Sequence, residues 1–477
     1  NDLRLHDNPL LYDGVVKSSE ELVCAYCADP KVFSGRLRQS GLPKVNQRRS
    51  RFLLQCVQQL RSNLRRIGGE LLVAAESPET FLPRLAEGAD STVFVCQGVT
   101  AEESSSEARV AELVPLERIW GLTLYHIEDL PYRNFQKDFP MVFAPFGRAV
   151  RGNVQAARAA LGGVAVRPEL PVPQRLPALP ESLERFLTED LTLLWPPMAT
   201  FREHEEVLGM DEKKTDPWWE DVFQGGEDQA LRRLEDFMAM DLARYKETRN
   251  RLMGLRFSSK LSPWVAAGCV SPKRVAMELR RWEVQRRGGP GPTPSSSHYL
   301  SEFGWRDFLI FLSMKVGNAL FKLEGPGRVS LPWRRDPELE AQLFAGCIGM
   351  PLIDAAVREM TISGFMSNRA RQFVASYVIL ELQLDWRVGA ELFESRLVDY
   401  DVSANWGNWM RAAGVAGQGF GHGGSRWFNL AEERDRFDRN GDFVKFWLPE
   451  LRDVPKDYIH CPWMLPPSSR PSYPSPP

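Results

Sequence analysis

The sequence has few histidines, no framework of paired cysteines, no excess of basic residues and no long apolar run. Its six histidines are scattered without metal-ligand spacing, so we predict no metal site. The seven cysteines are also scattered, which argues against a disulfide framework and for an intracellular, reducing compartment. A formal net charge of −2 excludes a globally basic nucleic-acid binder, so any such contact must come from a local patch. No apolar run approaches membrane-spanning length, so we predict no membrane contact.

Common phosphate-binding signatures are absent as well. No G-x-G-x-x-G follows a strand-like run, and no G-x-x-x-x-G-K-[ST] occurs, which excludes a conventional dinucleotide or phosphate loop. Cys24 and Cys27 form a C-x-x-C, but they lie inside the apolar run Leu22–Ala28. That context favours two core thiols over a redox or metal site.

What is present indicates a multidomain globular protein. The 477 residues are enough for two or three domains. Hydrophobic and charged contents of 43% and 26% are ordinary for a globular chain. Fourteen tryptophans are many, which raises the question of whether some serve more than packing.

The first 130 residues alternate between strand-like and helix-like patterns. The strand-like runs are Leu22–Ala28, Leu71–Ala74, Thr92–Cys96 and Thr123–His126, and the clearest helical pattern spans about Asn46 to Ile67. Such alternation predicts an α/β domain with a parallel, Rossmann-like sheet. The chain opens abruptly at Asn1, so we expect the first strand of this domain to be missing. The organelle (nucleus, plastid, mitochondrion or cytoplasm) is therefore not resolved.

Composition divides the remainder of the chain. Residues 131–205 are rich in proline and predict an interdomain linker. Residues 206–465 contain one helical pattern after another and predict an all-α domain. Residues 466–477 form a Pro/Ser tail that we expect to be disordered.

The stretch Asp399–Trp409 has an unusual composition for a segment with apolar flanks. Two carboxylates, two amides and two tryptophans fall within eleven positions. Buried carboxylates and amides are costly unless something pairs with them. The stretch therefore meets either solvent or a large polar ligand, and a plain polar loop with a tryptophan anchor is the simpler interpretation.

A second polar segment, Ser258-Ser259-Lys260-Leu261-Ser262, precedes Pro263. Ser before Pro predicts a helix start with Ser262 as its N-cap. Three hydroxyls and a lysine near free backbone N–H groups could bind a phosphate or pyrophosphate. An ordinary capped helix is the alternative.

Two helix faces carry polar side chains suited to nucleic acid. Glu302, Trp305 and Arg306 are spaced i, i+3 and i+4, and together could stack a base and bond its edge. Asn368, Arg371 and Gln372 share another face beside Arg369, and Arg371 could neutralise Asp399 or Asp401. Structural ion pairs on both faces are the alternative. Trp333, Trp386 and Trp409 lie on separate segments, where each could simply be a core anchor.

Taken together, these motifs resemble the photolyase/cryptochrome flavoprotein family, in particular its DASH-type cryptochromes. The resemblance extends along nearly the whole chain, through Asn1-Asp2-Leu3-Arg4, Tyr245–Asn250, Ser259–Pro263, Trp305–Phe308, Gly364–Arg369, Asp385–Arg387, Asp399–Asp401 and Gly407–Trp409. Gln372 and the run Trp386–Ala390 are similar to the DASH branch.

The resemblance implies a folded FAD inside the helical domain. It assigns cofactor binding to Tyr245, Ser258, Ser259, Lys260, Leu261, Ser262, Arg306, Arg371, Asp399, Tyr400, Asp401 and Asn405. Within this set, Arg306 is expected on the phosphate side, Arg371 paired with Asp399, and Asn405 opposite the flavin N5.

It also implies blue-light-driven repair of cyclobutane pyrimidine dimers, preferentially in single-stranded DNA, by a monomeric lyase. Glu302 and Trp305 would contact the lesion, Asn368, Arg369 and Gln372 the DNA strand, and Asn405 the reacting flavin. Trp409, Trp386 and Trp333 would form an electron-transfer chain. Glu103 would contact a folate-type antenna, 5,10-methenyltetrahydrofolate, although an acidic residue in a first helical turn is an ordinary feature.

The sequence departs from the family pattern at some positions near the expected DNA cleft. Arg411 stands where the family often has an aromatic residue, which removes a stacking surface worth roughly 1–3 kcal/mol. Gly419–Gly424 is unusually rich in glycine. A signalling blue-light receptor is therefore the alternative function. A light-independent nucleotide- or RNA-binding module is a third class, which the absence of a yellow chromophore would favour.

Overall fold

A computed structural model describes residues 2–17, 21–88, 90–151, 164–195, 222–286, 291–417 and 428–477. Its N-terminal half combines short parallel strands with helices, and its C-terminal half is helical. The predicted fold class is thus confirmed. The glycine-rich run Gly419–Gly424 lies outside the described residues.

Four short strands lie in the N-terminal half: β1 (Cys24–Cys27), β2 (Leu71–Ala74), β3 (Val93–Cys96) and β4 (Leu116–Ile119). In the described part of the chain they form two separate parallel pairs, β1 with β2 and β3 with β4. Every residue of β2 is buried, in agreement with its uninterrupted apolar sequence. Burial raises the pKa of both Cys24 and Cys27 to about 12, as expected for core thiols.

The prediction of a strand at Thr123–His126 was wrong. The fourth strand is Leu116–Ile119, whose two central residues are charged and exposed, so its apolar signal is weak. Residues 123–126 form an irregular buried segment instead. The apolar character of this segment serves packing against the helical half rather than a sheet.

The helices of the N-terminal half are α1 (Pro9–Lys17), α2 (Pro30–Phe33), α3 (Gln47–Arg66), α4 (Pro78–Leu85) and α5 (Ala101–Ala111). Helix α3 matches the clearest predicted helix. Asn46 caps it by accepting a hydrogen bond from the Arg49 backbone N–H, as an N-cap amide commonly does.

The segment predicted as a linker contains helices α6 (Phe135–Asp138) and α7 (Phe143–Arg151). Phe139 and Phe146 are buried there and pack against Phe308 and Phe311 of the helical half. Helices of four and nine residues are too short to produce a clear periodic pattern, which explains why composition alone suggested a linker.

The helices of the C-terminal half are α8 (Glu227–Met240), α9 (Tyr245–Thr248), α10 (Ser262–Ala266), α11 (Pro272–Gln285), α12 (Pro294–Val316), α13 (Pro337–Ala345), α14 (Pro351–Ser363), α15 (Asn368–Ser376), α16 (Trp386–Arg396), α17 (Val402–Ala412), α18 (Leu430–Phe437) and α19 (Asp442–Trp447). Short 3₁₀ turns cover Ile127–Asp129, Glu181–Phe186, Leu242–Arg244, Gly317–Phe321, Pro449–Leu451, Pro462–Met464 and Pro467–Ser469, and a π turn covers Tyr377–Glu381. Among the described residues, no helix is long and apolar enough to cross a membrane.

The last residues make contacts, although we expected a disordered tail. The Tyr473 hydroxyl donates a hydrogen bond to the buried Asp354 carboxylate. That carboxylate also accepts from the backbone N–H groups of Ile348 and Gly349, at 2.8 and 2.9 Å. A buried carboxylate needs such donors, so the hydrogen bond from Tyr473 holds the Pro/Ser segment against the helical half.

Buried carboxylates of the helical half hold the N-terminal half in place. Asp307, in α12, accepts hydrogen bonds from the backbone N–H groups of Leu124 and Tyr125, at 3.1 and 3.0 Å. Glu227, in α8, accepts from those of Leu5 and His6, at 2.8 and 3.0 Å. These bonds position the N-terminal half next to the helices that carry the polar motifs.

We predict that Asp307→Asn destabilises the fold by about 1–3 kcal/mol, because an amide nitrogen cannot accept from a backbone N–H, whereas both oxygens of a carboxyl can, ionised or protonated. Burial raises the pKa of Asp307 to about 7, from an ordinary value near 4. A carboxyl whose pKa is higher in the folded than in the unfolded state stabilises the fold fully below its unfolded-state pKa, here about 4. That contribution is lost as the pH rises through the folded-state pKa of about 7.

The free energy of unfolding of both proteins, measured in urea at about pH 5 and about pH 8, tests this sign. The difference between wild type and Asp307→Asn should shrink at the higher pH. A difference that grows with pH would mean that the ionised carboxylate is the favoured form.

Candidate FAD and nucleic-acid site

The first cluster joins α15, α10 and the loop before α17. Arg371 Nη2 lies 2.9 and 2.8 Å from the two carboxylate oxygens of Asp399, which is buried. Ser262 Oγ donates to the same carboxylate at 2.6 Å. Of the two carboxylates considered from the sequence, Asp399 is therefore the one that Arg371 contacts.

The second ion pair joins α12 to the start of α17. Arg306 Nη2 lies 3.0 Å from Asp401 Oδ2, and Arg306 Nη1 donates to the Leu122 backbone carbonyl at 2.7 Å. Asp401 also caps α17 by accepting from the Ala404 N–H. Arg306 therefore links the two halves of the chain beside the candidate site.

The 258–262 segment differs in detail from a simple capped helix. Leu261 is the residue before α10, and Ser262 is its first residue, so the predicted serine N-cap was wrong by one position. The backbone carbonyls of Ser258 and Ser259 accept hydrogen bonds from Arg233, a residue that sequence reasoning missed. Because α10 has only five residues, its N-terminus alone makes a weak anion site.

Lys260 is a buried cation within this segment. Its ammonium lies 4.0 and 4.3 Å from the ring centroids of Phe257 and Phe365. Burial lowers the pKa of Lys260 to about 7 and raises that of the nearby buried Glu359 to about 8. Tyr245, the other predicted binding residue here, is buried against Phe237 and Tyr299.

Asn405 lies in α17, and Tyr400 lies just before that helix. Asn405 Nδ2 donates to the Ala390 backbone carbonyl at 2.9 Å, which ties α17 to α16. The guanidinium carbon of Arg49 lies 5.0 Å from the centroid of the Tyr400 ring. Burial and the proximity of Glu394 raise the pKa of Tyr400. The predicted residues Asn405 and Tyr400 thus belong to the α16–α17 contact.

The three predicted electron-transfer tryptophans differ in burial. Trp409 and Trp386 are buried, whereas Trp333 is half-buried. Trp409 lies against Gly389, where an added Cβ would come within 2.2 Å of its ring, so only glycine fits.

Sequence reasoning did not single out Trp406, a buried tryptophan that contacts one of these three. Its ring meets that of Trp386 edge to face with centroids 5.8 Å apart, and its Nε1 donates to Glu394 at 3.0 Å. The spacing of three residues between Trp406 and Trp409 on one helix could have suggested it.

The Glu302 and Trp305 face of α12 lies beside Arg249, His298 and Asn408. Arg249 Nη1 lies 2.7 Å and His298 Nε2 3.1 Å from the Glu302 carboxylate. Trp305 Nε1 donates to Asn408 Oδ1 at 3.3 Å. Arg249 and Asn408 were not predicted as site residues, because their proximity depends on how helices pack.

Two further groups flank the Trp305 ring. Phe143 of α7 meets it edge to face with centroids 4.9 Å apart. The Arg411 guanidinium lies over the ring, with its carbon 5.2 Å from the centroid. The guanidinium thus covers part of a surface on which a base could stack.

The predicted DNA contacts of α15 lie at its start. Asn368 is its exposed first residue, and Arg369 Nη1 donates to Gln372 Oε1 at 3.1 Å. Arg369 also lies over the rings of Phe428 and Phe437, 5.6 and 5.4 Å from their centroids. These residues and the Glu302 face therefore occupy different helices.

Glu103 caps a helix. Its Oε2 accepts from the backbone N–H groups of Val99 and Thr100, at 3.1 and 3.2 Å, at the start of α5. This is the carboxylate half of a capping box, so the ordinary role considered for Glu103 is present.

Comparison with known proteins gives this arrangement a family. The model described as "FAD binding domain of DNA photolyase" matches residues 299–476, and that described as "DNA photolyase" matches residues 1–173. Cryptochrome DASH of Xenopus laevis is 36% identical over 98% of this chain and 84% of its own length.

The chain belongs to the photolyase/cryptochrome family. The resemblance to DASH-type cryptochromes is thereby confirmed, and the helical half contains an FAD-binding domain. The crystal structure of Synechocystis cryptochrome superposes with a TM-score of 0.81 and 34% identity, covering 100% of this chain and 94% of the other. A class III photolyase from Agrobacterium tumefaciens gives 0.73 and 26%, covering 98% and 89%.

The residues of this photolyase/cryptochrome chain fit FAD. The Ser403 hydroxyl is buried at the start of α17 and has no hydrogen-bond partner in the part of the chain that the structure describes. Buried hydroxyls normally have partners, so a polar ligand edge would satisfy it. Lys260 and Arg371 carry donors of the kind that a pyrophosphate and ribityl chain require.

Proposed function

We propose that this protein is an FAD-dependent enzyme that uses blue light to repair cyclobutane pyrimidine dimers, preferentially in single-stranded DNA. One observation carries the proposal. Helix α12, which bears Glu302 and Trp305, packs directly on α17, which bears Asn405 and Trp409, through the Arg306–Asp401 and Trp305–Asn408 contacts. The side chains that we propose for binding the lesion and those that we propose for binding the flavin therefore lie on two helices in direct contact.

The cofactor would be held by groups from α9, α12, α15 and α17 and from the segments that lead into α10 and α17. Ser258, Ser259, Lys260, Leu261 and Ser262 would line the phosphate and ribityl side together with Tyr245. Asp399, Tyr400 and Asp401 would line the isoalloxazine side, with Arg371 neutralising Asp399 and Arg306 neutralising Asp401. Asn405 would face the flavin N5 through the amide oxygen, because its nitrogen already donates to Ala390.

Reduced FAD supplies, under blue light, the electron that splits the dimer and is afterwards recovered. The chain's own residues bind and orient the lesion. Glu302, held by Arg249 and His298, would accept hydrogen bonds from a base edge, and Trp305 would stack on the base. Asn368, Arg369 and Gln372 would hold the strand from α15.

Two features support a preference for single strands. A net charge of −2 leaves few phosphate contacts to offset the cost of opening a duplex. Arg411 replaces a second stacking surface beside Trp305. Extracting a paired dimer costs a few kcal/mol more than binding an unpaired one. Few phosphate contacts and one missing stacking surface therefore weaken the binding of duplex more than the binding of a single strand.

We predict that Glu302→Gln lowers dimer repair by about 10–100-fold, because a charge-assisted hydrogen bond of about 1.5–3 kcal/mol is weakened. Repair of single- and double-stranded oligonucleotides under blue light, with flavin absorbance measured in parallel, tests both the function and this role. Glu278→Gln is the matched control, since Glu278 pairs with Arg281 on α11.

Wild-type repair that is equal on both strand forms would refute the single-strand preference, and no repair on either form would refute the function. Loss of flavin from Glu302→Gln would instead assign Glu302 a structural role.

We also predict that Trp386→Phe slows flavin photoreduction while flavin remains bound. In the proposed chain an electron would pass from Trp333 to Trp386, then to Trp409, and from there to the flavin. Trp264→Phe is a matched control. Both indoles are buried and each donates to one backbone carbonyl, Trp386 to Leu323 at 3.0 Å and Trp264 to Gln224 at 2.9 Å.

Absorbance during blue illumination with an external reductant measures the photoreduction rate. Equal rates in wild type and Trp386→Phe would remove Trp386 from the chain. Equal slowing in both variants would attribute the effect to core destabilisation.

A signalling blue-light receptor is the second candidate. Arg411 over Trp305, and the pairing of Glu302 with Arg249 and His298, favour it, because both occupy groups that a lesion would contact. A receptor would bind FAD and photoreduce without repairing dimers, so the same repair assay separates the candidates.

The remaining parts of the proposal concern the antenna and the setting. A folate-type chromophore, 5,10-methenyltetrahydrofolate, would add a near-ultraviolet band after reconstitution. Glu103→Gln retains an oxygen for the helix cap, so loss of that band in this variant would assign a direct contact rather than a folding effect. A persisting band would remove Glu103 from the antenna site.

All seven cysteines are free thiols, which supports a reducing intracellular compartment. We also expect a monomer.

A further inference from the structure

Arg411 is a partly desolvated cation without a counter-ion in the structure. It lies in the last turn of α17, half-buried, and its Nε is enclosed without an acceptor. Within the described ranges, no hydrogen bond or ion pair joins the Arg411 side chain to another residue, and residues 418–427 contain no acidic side chain. The contact with the Trp305 ring is the interaction that holds it.

The nearby carboxylates are already paired. Glu302 contacts Arg249 and His298, and Asp401 contacts Arg306. The carbonyl end of α17 favours a cation but offers no full negative charge. Arg411 is therefore the positive charge in excess at the Trp305 face, and a cation–π contact recovers only about 0.5–2 kcal/mol for it.

The position of this charge selects its ligand. The guanidinium lies directly over an indole, so an anion bound by its free N–H groups would lie next to the ring on which a base stacks. Phosphate is the anion that a nucleotide carries within reach of its base, and a planar guanidinium matches its oxygens in a bidentate fork.

We propose that Arg411 binds the phosphate that links the two nucleotides of the lesion, and that in the free protein it rests on Trp305 in the place of a base. This inference rests on the proposed function and names a DNA contact within the same site. On binding, the guanidinium leaves the ring face, the base replaces it, and the cation–π contact is exchanged for an ion pair. Arg411 thus removes a stacking surface that duplex binding would need, and it supplies an ion pair to the phosphate of a single strand.

Dark binding of a single-stranded oligonucleotide with one central dimer tests this, measured by fluorescence anisotropy with flavin-loaded protein. Between about 50 and 200 mM salt, Arg411→Gln should reduce the slope of log K against log salt by about 0.7, the value of one phosphate contact on a single strand. Arg411→Lys keeps the charge and should retain the slope.

Arg281→Gln removes the same charge from an exposed ion pair on α11 and should leave the slope unchanged. An unchanged slope in Arg411→Gln would overturn the proposal. An equal reduction in Arg281→Gln would also overturn it, because the effect would then be one of net charge.

A second oligonucleotide carries a neutral methylphosphonate in place of the phosphate that links the two nucleotides of the dimer. Wild type should bind it more weakly than the charged form, whereas Arg411→Gln should bind the two equally, which completes a double-mutant cycle. Equal losses in both proteins would place Arg411 at another site and overturn the assignment. Circular dichroism and flavin content of each variant show that it is folded.

These outcomes are separate from those of repair. A wild type that repairs dimers while Arg411→Gln keeps its slope would disprove only the role of Arg411. A wild type that fails to repair, but shows the coupling to the central phosphate, would disprove only the repair function.

Discussion

Buried carboxylates that must find donors organise this structure. Removing a carboxylate from water is costly unless hydrogen bonds or cations replace the water, and several such groups in the helical half find these partners in the N-terminal half. Asp307 and Glu227 accept backbone N–H groups from the N-terminal half. Glu391 accepts those of Gln39 and Ser40 in the same way, at 2.6 to 3.0 Å. The two halves are therefore held together by specific acceptors as well as by apolar packing.

The same constraint builds the site. Asp399, Asp401 and Glu302 each face an arginine from another helix, so α9, α12, α15 and α17 are fixed relative to one another by charge pairing. A cofactor and a nucleic-acid strand would enter a cleft whose carboxylates are already neutralised. Among the described residues beside Trp305, the Arg411 side chain contacts no carboxylate, and this is the reason for proposing that it binds a phosphate.

Prediction from the sequence succeeded where the signal is local. The twenty-residue helix α3 and the fully apolar strand β2 were found, because periodicity and burial agree along each of them. It failed for Thr123–His126, where an apolar run is buried by Asp307 and α12 rather than by a sheet. It also missed α6 and α7, whose helices are too short for a periodic signal.

The sequence by itself determined which chemical groups exist and which of them share a helix face. Glu302, Trp305 and Arg306 lie together on α12 because 3.6 residues make a turn, and the motifs around them identify the family. The tertiary structure alone decided the partners across elements. Arg371 faces Asp399 and not Asp401, Trp406 meets Trp386, and Arg411 lies on Trp305. Those choices depend on the angles and distances at which helices cross, and residue spacing within one helix carries no information about them.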